Sequence, residues 1–238
     1  MTENPIIVAL DLPRDGALAV AASLRGHVRW VKVGMTLFYA EGPSIVHSLR
    51  EMGFDVFVDL KLHDIPHQVA GAAAALTRLG PGMFTVHAAG GVAMMTAAVE
   101  AARTTAAAAG VRPPAVLAVT VLTSTDDAGL LEIGIGGTTA HQVVLLADLA
   151  REAGVDGVVC SPHEARAMRA RLGADALIVT PGVRPAGSAL GDQARVSSPA
   201  ASRAAGASHL VIGRPITADP KPVDALDRIL AELEGSPT

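Results

Sequence analysis

The sequence predicts an α/β fold, a single (β/α)8 barrel of the TIM type spanning residues 1–238. Three observations point to it. Eight short runs rich in β-branched residues alternate with longer runs rich in Ala, Leu and Arg, which is the rhythm of repeated strand–helix units. The short runs are nearly continuously apolar, as strands of a parallel sheet covered on both faces must be. Glycine recurs where the longer runs end, at Gly26, Gly53, Gly80, Gly110, Gly154, Gly173 and Gly206. A left-handed helix cap favours a residue without a Cβ. An open doubly wound sheet is the other arrangement this rhythm allows.

The elements follow in order. Ile6 to Asp11 reads as the first strand, with Asp15 at the start of the first helix. Val28 to Gly34 is the second, and Pro43 marks a helix start after it. Asp55 to Leu62 is the third, followed by a helical pattern from Pro66 to Leu79. Met83 to His87 leads into Val92 to Ala109, and Ala115 to Leu122 precedes the helical run Thr139 to Ala153. Gly157 to Ser161 is followed by Pro162 and a helix from His163 to Leu172. Ala176 to Thr180 comes before a helix start at Pro199, and His209 to Gly213 before a last helix from Val223 to Leu233. Proline suits these starts because its fixed φ fits the first helical turn, where its missing N–H is not needed. No shift in composition divides the chain into two domains.

Composition removes several function classes. Half of the residues are hydrophobic, enough for a large core, and the net charge of −4 comes from interspersed charges. Neither a nucleic-acid surface nor an anionic-membrane surface is expected from such a balance. A single Trp and a single Tyr leave little for base stacking. The lone Cys160 permits no intrachain disulfide and fits a reducing, cytoplasmic setting. The N-terminus lacks a basic segment followed by an apolar one, and no stretch has the length of a membrane span.

The third strand carries the strongest chemical signal. Asp59-Leu60-Lys61-Leu62-His63-Asp64-Ile65-Pro66 places two carboxylates around one ammonium. Strand side chains alternate between faces, so Asp59 and Lys61 are expected to share one, with Asp64 following in the turn. A charged pair on the inward face of an apolar strand is costly unless paired, and such sites concentrate at functional centres. A buried ion pair that only fixes packing is the bland alternative.

Polar residues recur at the ends of the other strands, where the active site of such a barrel lies. Asp11 ends the first strand, Lys32 lies on the second, His87 ends the fourth, and Thr120 and Thr123 stand at the end of the fifth. Arg184 follows the seventh and Arg214 the eighth. Loops after strands seven and eight often bind phosphate in such barrels. Gly213 and Gly182 allow close backbone approach, and Arg214 and Arg184 can grip phosphate oxygens through two parallel bonds. Gln193 lies in a glycine-containing loop able to fold over a ligand.

These residues together resemble the orotidine 5′-phosphate decarboxylase family. The similarity is carried by Asp59-x-Lys61-x-x-Asp64-Ile65-Pro66. It extends through Leu10-Asp11, Lys32-Val33-Gly34, Val86-His87-Ala88, Val119-Thr120-Val121-Leu122-Thr123-Ser124, Pro181-Gly182-Val183-Arg184 and Ile212-Gly213-Arg214-Pro215-Ile216. Sugar-phosphate decarboxylases and hexulose-phosphate synthases share the Asp-x-Lys-x-x-Asp core. The Ile65-Pro66 continuation and the Gly-Arg-Pro-Ile segment favour the orotidine branch. The resemblance implies decarboxylation of orotidine 5′-phosphate to UMP, the last step of de novo pyrimidine synthesis, with neither metal nor organic cofactor. It also implies a homodimer with shared active sites. Asp59 and Lys61 would act from one subunit, while Asp64 and Ile65 reach in from the other. Asp11 and Lys32 would hold the ribose, Thr123 would meet the pyrimidine, and Gln193, Arg214 and Arg184, with Gly213, would surround the phosphate.

That chemistry suits the residue types. Loss of carbon dioxide leaves electron density on ring carbon 6, which a neighbouring ammonium can stabilise and then protonate. A magnesium-dependent sugar-phosphate decarboxylase or aldolase on the same barrel would instead use the carboxylates to hold a metal. A non-catalytic nucleotide sensor would have no need of the charge cluster. Other signals are weaker. His63 and His67 are four apart, but the turn at Pro66 argues against a shared metal-binding helical face. Gly134-Ile135-Gly136-Gly137 lacks the strand–glycine–helix context of a dinucleotide loop and reads as a connection. His87 and Cys160 read as packed residues.

Overall fold

A computed structural model describes residues 4–185 and 197–235. Eight parallel strands close into a barrel in sequence order. They are β1 (Ile6–Ala9), β2 (Trp30–Gly34), β3 (Asp55–Leu62), β4 (Met83–His87), β5 (Ala115–Val119), β6 (Gly157–Val159), β7 (Leu177–Thr180) and β8 (His209–Ile212). β8 pairs with β1 and closes the ring, Ile6 opposite Leu210 and Val8 opposite Ile212. That closure decides between the barrel and the open sheet in favour of the barrel.

The described helices lie between and after the strands. They are α1 (Arg14–Leu24), α2 (Met35–Glu41), α3 (Ser44–Glu51), α4 (Pro66–Arg78), α5 (Gly91–Ala109), α6 (Asp127–Glu132), α7 (Thr139–Glu152), α8 (Ala165–Leu172), α9 (Pro199–Ala204), α10 (Arg214–Thr217) and α11 (Pro222–Glu234). A 3-10 turn, Ala88–Gly90, joins β4 to α5. All seven glycines expected at helix ends have positive φ, from 65° at Gly110 to 102° at Gly206. Pro66 and Pro199 occupy first-turn positions, and the Ser198 hydroxyl accepts from Ala201 N–H to cap α9. The glycine run at 134–137 connects α6 to α7.

β3 and β4 have the predicted bounds, while several other strands stop one to three residues short of them. At their carboxyl ends the pairing thins to single bonds, such as Leu10 N–H to Lys32 O at 3.0 Å and Thr120 N–H to Val159 O at 3.1 Å. The residues beyond are released from the ladder to form the mouth of the barrel. α8 likewise begins at Ala165 and not at His163, because Ser161 N–H is bound at 2.7 Å by the Glu164 carboxylate and the segment between is a turn.

Two apolar clusters follow from strand alternation. One fills the barrel interior with Ile7, Ala9, Trp30, Phe57, Met83, Leu117, Val119, Val159, Val179 and Val211. The larger one lies between the strands' outer faces and the helices, with Ile6, Val8, Val31, Val58, Phe84, Val116, Ile178 and Leu210 among its members. Every interior position occupied by a small aliphatic side chain near the carboxyl end lowers the floor of the mouth, and there the polar residues gather. No helix among the described residues is long and apolar enough to cross a membrane.

Candidate active site

The mouth of the barrel encloses a cavity of about 570 Å³. Its floor is the upper layer of the barrel interior, Ala9, Val119, Val159 and Val211. Around this floor stand Asp11, Lys32, Asp59, Lys61, Thr123, Arg184, Gly213 and Arg214, eight of the residues singled out from the sequence. Ser124 and Cys160 also line it.

Four charges alternate in a row. Asp11 Oδ1 is 3.0 Å from Lys32 Nζ, Lys32 Nζ is 3.7 Å from Asp59 Oδ2, and Asp59 Oδ1 is 2.9 Å from Lys61 Nζ. The two middle charges are the most buried: Asp11 is 60% exposed, Lys32 9%, Asp59 14% and Lys61 28%. Burial by itself would raise the pKa of Asp59, but the ammoniums of Lys32 and Lys61 and the hydrogen bonds from Lys61 and Thr85 outweigh it. The carboxyl is therefore held below its ordinary range and remains an anion between two cations.

Simple strand alternation does not account for the Asp59–Lys61 pair. Pairing between β3 and β4 runs Val58 to Phe84 and then Leu62 to Val86, so Asp59, Leu60 and Lys61 stand against the single residue Thr85. Lys61 takes φ 53°, the one described non-glycine residue with positive φ. The bulge is closed by a side chain: the Thr85 hydroxyl donates to Asp59 Oδ1 at 2.9 Å and accepts from Lys61 N–H at 2.9 Å. The expectation of a regular strand through Lys61 is corrected accordingly, since bulged strands re-aim side chains at sites. Thr85 is a site residue that sequence reasoning missed. A buried threonine is ordinary in a strand, so only its position one turn of the pleat below His87 marked it.

Gly34 is a second such residue. A Cβ there would lie 2.7 Å from Asp11 Oδ1 and 2.9 Å from Lys32 Nζ. Glycine at the end of β2 thus makes room for the Asp11–Lys32 pair. At the other wall, Gly213 and Arg214 begin α10, and Arg184 N–H donates to Ser197 O at 2.9 Å, which ties that part of the rim together.

The remaining predictions divide. Asp64 and Ile65 do not join the cavity in this chain. They lie on the outside of the rim with His63, Pro66, Ala89 and Gly90, around an open depression of about 600 Å³. Ile65 is 63% exposed. Gln193 lies outside the described residues. His87 ends β4 with its ring centroid 5.3 Å from that of His63. Burial, His63 and Lys61 all push its pKa down, Asp59 opposing them, so the ring is neutral at physiological pH.

Comparisons with known proteins show what this chain is similar to. A sequence model of the orotidine 5′-phosphate decarboxylase / HUMPS family matches residues 4–229. A protein of Paramagnetospirillum magneticum named orotidine 5′-phosphate decarboxylase is 50% identical over 231 residues, 97% of this chain and 98% of its own length. One of the same name from Moorella thermoacetica is 53% identical over 234 residues, 98% of this chain and 93% of its own. The crystal structure of orotidine 5′-phosphate decarboxylase from Lactobacillus acidophilus is similar with a TM-score of 0.85 and 39% identity, covering 98% of this chain and 100% of that one.

Proposed function

The chain belongs to the orotidine 5′-phosphate decarboxylase / HUMPS family, and from that premise we propose that it converts orotidine 5′-phosphate to UMP and carbon dioxide, the final step of pyrimidine biosynthesis. It acts as a cytoplasmic homodimer, with one catalytic barrel domain per subunit. The observation that carries the reading is the Asp11–Lys32–Asp59–Lys61 row in one cavity with Arg184 and Arg214. The first group suits a reacting centre and the second an anionic handle.

Lys61 faces ring carbon 6. As the carboxylate leaves, the ammonium stabilises the electron pair left on that carbon and delivers the proton that replaces carbon dioxide. Asp59, anionic between two lysines, fixes the amine and confronts the departing carboxylate with like charge. Asp64, from the partner copy, flanks the same amine, and Ile65 accompanies it. Asp11 and Lys32 bind the ribose hydroxyls, and Thr123 meets the pyrimidine. Arg214, Arg184, Gly213 and Gln193 take the phosphate. Phosphate binding far from the breaking bond supplies energy to close the site and exclude water, which strengthens every electrostatic interaction at the reacting carbon. No metal takes part in this scheme.

An absorbance assay of the purified protein with orotidine 5′-phosphate in strong chelator tests the reading. Loss of substrate with appearance of UMP is expected. Turnover that stops in chelator and returns with magnesium favours a metal-dependent sugar-phosphate enzyme and overturns the proposal.

A further inference from the structure

The turn that carries Asp64 has a seat on the barrel. β3 ends at Leu62 and α4 begins at Pro66, so His63, Asp64 and Ile65 alone span the gap, all three exposed. Asp64 Oδ1 accepts from Ile65 N–H at 2.6 Å, a bond that shapes the turn without attaching it to the barrel. The attachment is made by a ring. His63 and His87 lie 5.3 Å apart between centroids, tilted by 39°. A Cβ on Gly90 would stand 3.3 Å from His63 Cδ2, so the same imidazole also rests against the 3-10 turn that follows β4. His87 is two residues beyond Thr85, the residue that sets Asp59 and the backbone of Lys61. One strand, β4, thereby registers both the charges acting within the chain and the turn directed away from it.

We infer that His63 and His87 are a pair of positioning residues that hold the Asp64 turn in place for a partner's active site, and that the hold depends on the rings not both being charged. The inference deepens the proposed function and relies on its assignment of Asp64 to the partner. The charged and titratable groups facing His87 are His63, Lys61 and Asp59. Protons on both rings would put two cations side by side near the Lys61 ammonium, with Asp59 the anion that offsets the charge on His87. The half-buried His87 is fixed in its strand, so the exposed His63 is the ring that moves, and the turn moves with it. Burial, His63 and Lys61 hold the His87 pKa below its ordinary value, so that ring is uncharged near neutral pH.

The test is the acid limb of kcat/KM, measured from about pH 5 to about pH 8.5 for wild type, His87→Gln and His63→Gln. Substrate phosphate titrates near pH 6 in every case, so only differences between the proteins count. In both variants the fall between about pH 8 and about pH 5 should be smaller than in wild type by about threefold or more, because an uncharged amide replaces one ring of the pair. Superimposable profiles overturn the inference. Should His87→Gln not fold, His63→Gln, at an exposed position, decides alone. Mixing inactive Lys61→Ala and Asp64→Ala chains at about pH 8 separates the two levels of the claim. Regained activity with superimposable acid limbs removes only the histidine pair, and no regain despite subunit exchange removes the shared site and the pair together.

Discussion

Lys61 occupies a backbone conformation that disfavours its own side chain. At φ 53° a residue with a Cβ carries a strain of about 1–2 kcal/mol, and such strain persists only where the surroundings impose it. Here the imposing group is Thr85, whose hydroxyl holds the Lys61 amide and the Asp59 carboxylate at once. Thr85→Val keeps the shape and removes both bonds, leaving a partly buried N–H without its acceptor and a partly buried anion with one donor fewer. Stability near neutral pH should fall by about 1.5–3 kcal/mol and kcat/KM by about tenfold or more. A further consequence concerns acid. The folded-state pKa of Asp59 is depressed, so its contribution to stability is present above its unfolded value of 3.8 and is lost as pH falls from there through the folded value. Removing the Thr85 bond raises the folded pKa, so less of this contribution exists to be lost. Denaturant titrations across the acid range should therefore give a shallower decline attributable to this carboxyl in Thr85→Val. An unchanged stability at neutral pH would show that the hydroxyl does not hold the bulge.

At the level of strands and helices, two strand glycines separate fold from function. Gly34 and Gly157 both have extended backbone without positive φ, so neither is needed for conformational freedom. A Cβ at Gly34 meets the tips of Asp11 and Lys32, flexible ends that can move aside. A Cβ at Gly157 meets the backbone of β7, 2.1 Å from Leu177 O, which cannot. Gly34→Ala should thus melt close to wild type and lose about tenfold or more in kcat/KM, while Gly157→Ala should lose about 3 kcal/mol or more of stability, or fail to fold. Thermal melts beside kinetics distinguish these outcomes, and a Gly34→Ala enzyme of full activity would detach the Asp11–Lys32 pair from function. The same contrast shows what the sequence made legible. Strand count, order and helix ends could be read because apolar runs and capping glycines are local signals. The charges of the site could be read because Asp59, Lys61, Lys32 and Arg214 are costly or conspicuous where they stand. The bulge at Lys61, the hydroxyl of Thr85 and the spatial need for Gly34 could not, since each exists only in the relation between two strands. The overshoot at strand ends has the same origin: Asp11 and Val121 continue the local pattern of their strands, but the barrel has already opened around them.

At the scale of the whole molecule, one carboxylate of the motif stands apart from the cavity that holds the other charges. Asp64, the second carboxylate of the defining motif, stands outside the cavity that holds Asp59 and Lys61. Ile65 beside it is 63% exposed, and Met35, which follows the carboxyl end of the neighbouring strand β2, is 47% exposed. Large apolar side chains on the rim of a barrel, next to a carboxylate outside the chain's own cavity, are the features a two-fold pairing would cover and employ. The proposal that Asp64 completes the partner's site has a quantitative consequence. Lys61→Ala and Asp64→Ala chains should each be nearly inactive alone. When they exchange at equal concentration, half of the dimers are hybrids. In each hybrid one site receives its lysine from one chain and its Asp64 from the other, while the second site lacks both. Half of the dimers with one of two sites restored gives about one quarter of wild-type activity. If Asp64 served its own chain's lysine, every site in every hybrid would still lack one of the two residues, and mixing would recover nothing. Differently tagged chains, co-purified to confirm exchange and assayed with orotidine 5′-phosphate, distinguish a quarter from zero without ambiguity.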